Sequence, residues 1–577
     1  MSFFRKIFFM GLILPLGLLA QDQPKPNWQN LDLQKDGVFG ISTEKAYDLV
    51  KGRTSSPVIV AVIDGGIDEE HEDLKSIMWK NSKEIAGNNT DDDKNGYADD
   101  VYGWNFIGSP RGNVRYDNLE LVRLIRVYQD KYASVLNSTP LTPQEKKEFA
   151  LYKKLVTEHM DKMQNARIGY ENFVIVKKTL DSIMARIGKK DVTAADIEKY
   201  SAKNANEQKV LKLVKSELKK EQDFNTVKEE LNDVYKYYHS QLNYHLNLMF
   251  DPRDSVGDNY EDSKQRLYGN GDVTGPDAYH GTHVAGIIGA VRNNNKGIKG
   301  VADNVRIMGL RAVPDGDERD KDIANSIRYA VDQGARVINM SFGKGYSWDK
   351  AIVDSAVRYA EQKDVLIVHA AGNDGKNNDL SNNFPNKFLS DTTNANFANL
   401  SPNRPDPFMN GQNRQQSNGF GGIMRTATPP KPRIDSARFF GRQVNNWIEV
   451  GASSWKNDED LVAEFSNYGR YTVDVFAPGM KINSTIPESK YKEEDGTSMA
   501  SPVVAGLAAL IRSYYPNLTA VQVKDIILKS VVKVEQKVKI REDGERKKVK
   551  LSDICTSGGV VNAYNALQMA SKVSASL

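Results

Sequence analysis

Cysteine is almost absent. The 577-residue chain has one, Cys555, so no disulfide can close within it and no multi-cysteine zinc or iron–sulfur site can form. A surplus of charge is missing too. Lys plus Arg number 78 and Asp plus Glu 75, a net charge of +3. That balance argues against a dedicated nucleic-acid binder, which carries a strongly basic face. Long hydrophobic runs are scarce. Ile7–Ala20 is uncharged and apolar over 14 residues, too short for a membrane span of ~20 residues. Arg5 and Lys6 precede it and the small Ala20 ends it, so 1–20 reads as a signal peptide, with an uncleaved anchor as the alternative. The expectation is an exported chain, periplasmic or extracellular, with no membrane span after signal removal.

The remaining composition is globular: 40% apolar and 27% charged. The length allows one large domain with an insertion, or two to four domains. Residues 21–56 form a polar N-terminal segment without a long apolar run. Pro57–Ile63 is then a β-branched run ending in Asp64-Gly65-Gly66, the pattern of a parallel strand buried on both faces. The same pattern returns at Val305–Leu310, Ala335–Met340, Val365–Ala370, Trp447–Val450 and Val473–Phe476. Helical patterns at Asp320–Gln333 and Trp348–Gln362 alternate with these strands, which predicts an α/β fold with a parallel sheet.

Two spans interrupt that alternation. Residues 115–250 hold only Gly169 and Gly188 of the 43 glycines, and their apolar residues recur at helical spacing, as in Leu211, Val214 and Leu218. This predicts a large α-helical insertion. Residues 389–445 are rich in Asn, Pro, Arg and Gly without periodicity and read as a long irregular loop. The expected division is a core of 57–114 and 251–570 with those two insertions.

Four short segments carry chemistry. Val60–Gly66 is a strand ending in the carboxylate of Asp64. In His280-Gly281-Thr282-His283-Val284-Ala285-Gly286 a histidine opens a small-residue helix, and in Gly496-Thr497-Ser498-Met499-Ala500-Ser501-Pro502 a serine opens another. Ala370-Ala371-Gly372-Asn373-Asp374 places an amide after a strand. A serine hydroxyl is a weak nucleophile until an imidazole takes its proton, and the imidazole needs a carboxylate to fix its tautomer. An amide donor can then hold the oxyanion that forms, worth ~2.7–4 kcal/mol in the transition state.

At these segments the sequence resembles the subtilisin-like serine endopeptidases, the subtilase family. The order Asp64, His280, Ser498 is the order in which subtilisin carries its triad. The resemblance covers roughly 41–110, 265–388 and 446–570. It implies a three-layer, doubly wound parallel sheet and an acyl-enzyme on Ser498. His280 would be the general base, Asp64 its orienting group, and Asn373 with the Ser498 N–H the oxyanion donors. It further implies that a protein or peptide substrate pairs with Ser341-Phe342-Gly343 beside a pocket walled by Ala370-Ala371-Gly372, and that Val560–Leu567 is the terminal helix. Asp64 and His280 lie 216 positions apart, and only 21–56 stands between the signal and the first strand, so the helical insertion is expected to replace a prodomain as folding aid or lid. A neutral imidazole predicts a fall in rate below about pH 6–7, from the reference histidine pKa of ~6.5.

No catalytic cofactor is expected. His280 and His283 are spaced H-x-x-H without the glutamate of a zinc helix. The run from Asp91 fits D-x-[DN]-x-[DN]-G, and structural Ca²⁺ is expected at Asp91, Asp93, Asn95, the Tyr97 carbonyl and Asp99 or Asp100, with an acidic solvated turn as the alternative, since Tyr102 stands where a regular loop has glutamate. The resemblance implies a second calcium site at Asp73 and the loop around Asn293. Asp254, Asp258 and Asp262 read as a third site or a plain acidic loop. An inactive binding module is disfavoured, since it has no need of Asp64, His280, Ser498 and Asn373 together. A transferase or cyclase using the same acyl-enzyme is not separated from a hydrolase by sequence.

Overall fold

The computed structural model describes residues 23–221, 223–389, 443–542 and 544–577. The signal-peptide reading of 1–20 and nearly all of the irregular loop at 389–445 lie outside the described residues.

Nine strands form one sheet among those residues. From one edge to the other they are Val532–Lys533, Gly559–Val560, Val475–Pro478, Trp447–Ser453, Leu366–Ala370, Val337–Met340, Val58–Asp64, Val305–Arg311 and Gly103–Asn105. All neighbours are parallel except the first pair. The Val58–Asp64 strand shows why its sequence is an unbroken apolar run. Val58, Val60 and Val62 face one layer with the helices Tyr279–Gly289 and Thr497–Tyr514. Ala61 and Ile63 face the opposite layer with the helices Asp320–Asp332 and Lys350–Gln362. Alternate residues point to opposite faces, so a strand covered on both sides must be apolar throughout. Fully burying each such valine or isoleucine contributes roughly 1.5–3 kcal/mol. The result is a three-layer doubly wound sheet, as the resemblance implied.

The first of these strands in the chain, Val58–Asp64, sits between Val305–Arg311 and Val337–Met340, so the connections that follow it leave to opposite sides. The crevice beyond the carboxyl ends of strands at such a reversal is where ligands bind in open α/β sheets.

Helices dominate the stretch between the Gly112–Asn113 strand and Asp251. They are Glu120–Tyr132, Pro143–Ile187, Ala194–Lys199, Ala205–Glu221 and Phe224–Ser240, the last running on into a π-helical turn, Gln241–His245. The second has 45 residues, about 68 Å at 1.5 Å per residue. It opens on a Thr142/Glu145 capping box and closes on Gly188, whose φ of 69° suits glycine. Its far half builds a core of its own with Phe173, Leu180, Ile183, Val214, Val227 and Leu231. Its near half packs Leu151 and Leu155 against Leu121, Leu124 and Ile125.

Several elements escaped the sequence reading. The 21–56 segment is anchored: Trp28 is buried and its indole N–H donates to the Met480 carbonyl at 3.0 Å. Two antiparallel hairpins, Ile482–Ile486 with Lys490–Glu494 and Lys537–Glu542 with Glu545–Lys550, were not foreseen. The terminal helix starts at Ala563, not Val560, because Gly559–Val560 is spent on the sheet, next to its edge strand.

Candidate functional site

Asp64 is the last residue of its strand and almost fully buried. His280 is the second residue of the Tyr279–Gly289 helix. Its Nδ1 lies 2.8 Å from Asp64 Oδ1 and 2.9 Å from Oδ2, so Nδ1 carries the donated hydrogen and Nε2 is left as the basic nitrogen. Glycine at 281 permits this approach. A Cβ there would stand 2.2 Å from the Gly66 carbonyl oxygen and 3.0 Å from Asp64 Cβ. The imidazole is half-exposed. Burial disfavours its charged form, but the Asp64 charge and hydrogen bond outweigh burial, and the His280 pKa is raised.

Ser498 is the second residue of the Thr497–Tyr514 helix, which packs against the histidine helix where Gly506 meets the Ile288 carbonyl. Pro502 has no N–H to give the Ser498 carbonyl four residues back. Ser341 Oγ donates to that carbonyl instead, at 3.0 Å. In return the Ser498 hydroxyl donates to the Ser341 carbonyl at 2.9 Å. Asn339 continues the tie, donating to Ser341 Oγ at 3.0 Å and accepting from Ser501 Oγ at 2.8 Å. The start of the serine helix is thereby pinned to the end of the Val337–Met340 strand.

Asn373 follows the Leu366–Ala370 strand. Its Oδ1 accepts from the Thr497 N–H at 2.8 Å and from the Thr497 hydroxyl at 3.0 Å. With the oxygen held, the amide nitrogen is the free end, and it lies beside Gly496. Gly372, at φ 102°, donates its N–H to Thr497 Oγ1 at 3.1 Å. A side chain at 372 would collide with Asn467, whose Nδ2 lies 2.5 Å from the Cβ position.

Of the other expected residues, Ala370 and Ala371 are buried and Phe342 is half-buried. Phe342 and exposed Gly343 lie between the last paired residue of their strand, Met340, and a bridge from Lys344 to Phe384. Sequence reasoning missed Asn383. Its Nδ2 donates to the carbonyls of Ala370 at 3.1 Å and Ala371 at 3.2 Å, and its Oδ1 lies 2.4 Å from where a Gly343 Cβ would be. It therefore sits between the two segments that the resemblance assigns to substrate. Its only signal in the sequence was a polar pair, Asn382-Asn383, ahead of Phe384-Pro385.

Two further histidines are buried and held in place. His283 is fully buried, its Nε2 bonds the Lys492 carbonyl at 2.9 Å, and burial pushes its pKa down to about 4. His369 is held by Glu449 Oε2 at 2.9 Å from Nδ1. Asp258 belongs to a buried ion cluster: Arg253 Nε reaches it at 2.7 Å and Lys321 Nζ at 2.6 Å. That pairing favours the acidic-loop alternative for this residue over a ligand role.

The acidic loop brings Glu84, Asp91 and Asp93 together, one oxygen of each within 4.8 Å of the others. Three carboxylates at that spacing fit a hard, oxygen-seeking cation. The loop's own amides bond these oxygens: the Asn95 N–H donates to Asp91 and Asp93 at 3.0 Å, the Asp92 N–H donates to Glu84 at 2.9 Å, and Asp99 accepts from the Gly87 and Asn89 amides. Tyr97 is a buried ring packed edge-on to Trp104 and Tyr329. Glu84 stands seven residues ahead of the acidic run, outside the motif that drew attention to it. Asp73 is buried with both oxygens engaged, one by Asn294 and one by the Tyr491 hydroxyl at 2.9 Å.

A buried carboxylate, an imidazole on a helix start and a hydroxyl on another, all at the carboxyl ends of a doubly wound sheet, define the class of arrangement used for acyl transfer. Residues 55–550 match the subtilase family model, and the chain belongs to that family. It is similar to the thermophilic serine proteinase of Bacillus sp. (strain AK1), 34% identical over 291 residues, covering 50% of this chain and 52% of the relative. Thermitase of Thermoactinomyces vulgaris is 33% identical, over 45% of this chain and 72% of its own length. Subtilisin E of Bacillus subtilis (strain 168) is 32% identical, over 43% and 49%. The chain thus spans about half the length of several curated relatives it matches. A solved structure described as proteases from Pseudoalteromonas arctica PAMC 21717 aligns over 52% of this chain and 79% of that one, at 25% identity and a TM-score of 0.36.

Proposed function

We propose that the protein is an exported serine endopeptidase that hydrolyses peptide bonds through an acyl-enzyme on Ser498. The observation that carries the reading is the Asp64–His280 pair at 2.8 Å, with Ser498 at the start of the helix that packs against the histidine helix. The Ser498 hydroxyl turns from the Ser341 carbonyl toward His280 Nε2, which takes its proton as Oγ attacks the scissile carbonyl. Asp64 holds the imidazole tautomer and steadies the imidazolium. The Asn373 amide N–H and the Ser498 backbone N–H receive the oxyanion. His280 then protonates the leaving amine, and water releases the acyl group by the same steps in reverse. An extended peptide lies along Ser341–Gly343, with the Ala370–Gly372 wall and Asn383 bounding the side chain before the scissile bond.

Export is supported by the charged and then apolar N-terminus, and no helix among the described residues is long and apolar enough to cross a membrane. Glu84, Asp91 and Asp93 would hold a structural calcium ion, which would neutralise three adjacent carboxylates. The test is protein hydrolysis by purified 21–577 and by Ser498→Ala, each with calcium and with chelator. Cleavage that vanishes in Ser498→Ala is expected; cleavage that survives the substitution overturns the reading.

A further inference from the structure

The substrate segment is held from outside by the helical region. Lys344 directly follows Gly343, and its ammonium is buried. It reaches Glu120 Oε2 at 3.1 Å, Asp320 Oδ1 at 2.8 Å and the Glu318 carbonyl at 2.7 Å. Glu120 opens the first helix of the region, where Arg123 grips its carboxylate and its own N–H donates to Asp317 Oδ2 at 2.7 Å. Two residues past Lys344, the Tyr346 hydroxyl donates to Glu158 Oε2 of the 45-residue helix at 2.6 Å. On its other side the Lys344 backbone exchanges hydrogen bonds with Phe384, at 3.0 and 2.9 Å, next to Asn383.

A buried ion pair is a poor stabiliser compared with apolar packing of the same volume, because both charges lose their hydration. What it supplies is direction. The Lys344 ammonium meets Glu120, Asp320 and the Glu318 carbonyl at once, and its backbone, bridged to Phe384, follows directly on Gly343, where a long peptide would pair furthest from Ser498. A short substrate reaches only Ser341, which the serine helix already pins.

We propose that Glu120 and Glu158, acting through Lys344 and Tyr346, are positioning residues for extended substrates, so that the helical region forms part of the substrate-binding apparatus. The inference rests on the endopeptidase reading above. Its test compares two substrates, a chromogenic peptide with four residues before the scissile bond and a one-residue acyl ester, on the 21–577 protein, Glu120→Gln, Tyr346→Phe and Ser498→Ala. Glu120→Gln keeps the shape and removes the charge. It should raise KM for the long peptide about tenfold, with kcat little changed and the ester kcat/KM within twofold of the parent. Such a split marks lost ground-state binding and not lost chemistry. Tyr346→Phe should raise the same KM about threefold, and it carries the test alone should Glu120→Gln fail to fold. Equal losses on both substrates, or no loss on either, overturn the inference while leaving the protease reading intact. A parent that cleaves neither substrate, or a Ser498→Ala protein that cleaves both, overturns the protease reading and this inference with it.

Discussion

Thr497 grips the amide oxygen of Asn373 twice, through its N–H at 2.8 Å and its hydroxyl at 3.0 Å, and so decides which end of that amide is left free. Asn373→Leu should lower kcat by about 10²–10³ and leave KM nearly unchanged, as loss of one oxyanion donor does elsewhere. Thr497→Val keeps the N–H contact and loses the hydroxyl one, so it should show the same signature at a fraction of the size. Steady-state kinetics on one peptide substrate decide it. A KM effect dominating in either variant would place Asn373 in substrate binding instead.

The acid limb of the pH–rate profile should lie above the reference histidine value of ~6.5. His280 is active as a base only when neutral. The Asp64 charge raises its pKa, so protonation sets in at higher pH and the rate falls sooner on acidification. Asp64→Asn removes the charge; it should move the limb down in pH while lowering kcat by orders of magnitude. A profile of kcat/KM from pH 4 to 10 on both proteins checks direction and size. A limb that stays put in Asp64→Asn would count against the pairing.

Gly281→Ala should cost activity more than stability. The new methyl would meet the Gly66 carbonyl at 2.2 Å and Asp64 Cβ at 3.0 Å, so the histidine helix must shift away from the carboxylate. A displacement near 1 Å at a reacting group is worth about 10² in rate. Activity together with thermal unfolding measures both quantities. A large drop in melting temperature with normal specific activity of the folded fraction would refute the argument.

These sites were unequally legible in the sequence. Asp64, His280, Ser498 and Asn373 stood out because each is tied to a local pattern, a strand end or helix start beside glycine. The central strands were legible for a related reason: burial on both faces forces an apolar run, as at Val58–Asp64. What stayed hidden depends on contacts remote in the chain. Asn383 acts only because Ala370, Ala371 and Gly343 converge on it. Lys344 looks like a surface lysine until Glu120, some 220 residues earlier, is brought against it. The hairpin at Lys537–Lys550 was legible, since Val538 and Ile540 alternate with charged residues, whereas Lys490–Glu494 is polar apart from Tyr491 and shows no apolar period.

Asp322 should prove structural and indispensable. It accepts from Arg253 at 2.7 and 2.9 Å and from the Tyr268 hydroxyl at 2.7 Å, and it is fully buried. Asp322→Ala leaves a buried guanidinium short of its partner, at a cost of about 3–5 kcal/mol. Denaturant unfolding in the Ser498→Ala background, where self-digestion is absent, gives the value. A change below about 1 kcal/mol would mean that Asp258 alone suffices for Arg253.

Calcium should stabilise the fold through Glu84, Asp91 and Asp93. A ligand bound only by the folded state adds about 2.7 kcal/mol at a concentration 100 times its dissociation constant. In Ser498→Ala, added calcium is therefore expected to raise the melting temperature and chelator to reverse it. Glu84→Gln should weaken that increment and Asp91→Asn with Asp93→Asn abolish it, since each removes a charged oxygen from a cluster spanning 4.8 Å. Asp73→Asn should lower the melting temperature by itself, because Asn294 and Tyr491 lose an acceptor, yet leave the calcium increment unchanged. An increment that follows Asp73 and ignores Glu84 would move the ion to the other loop.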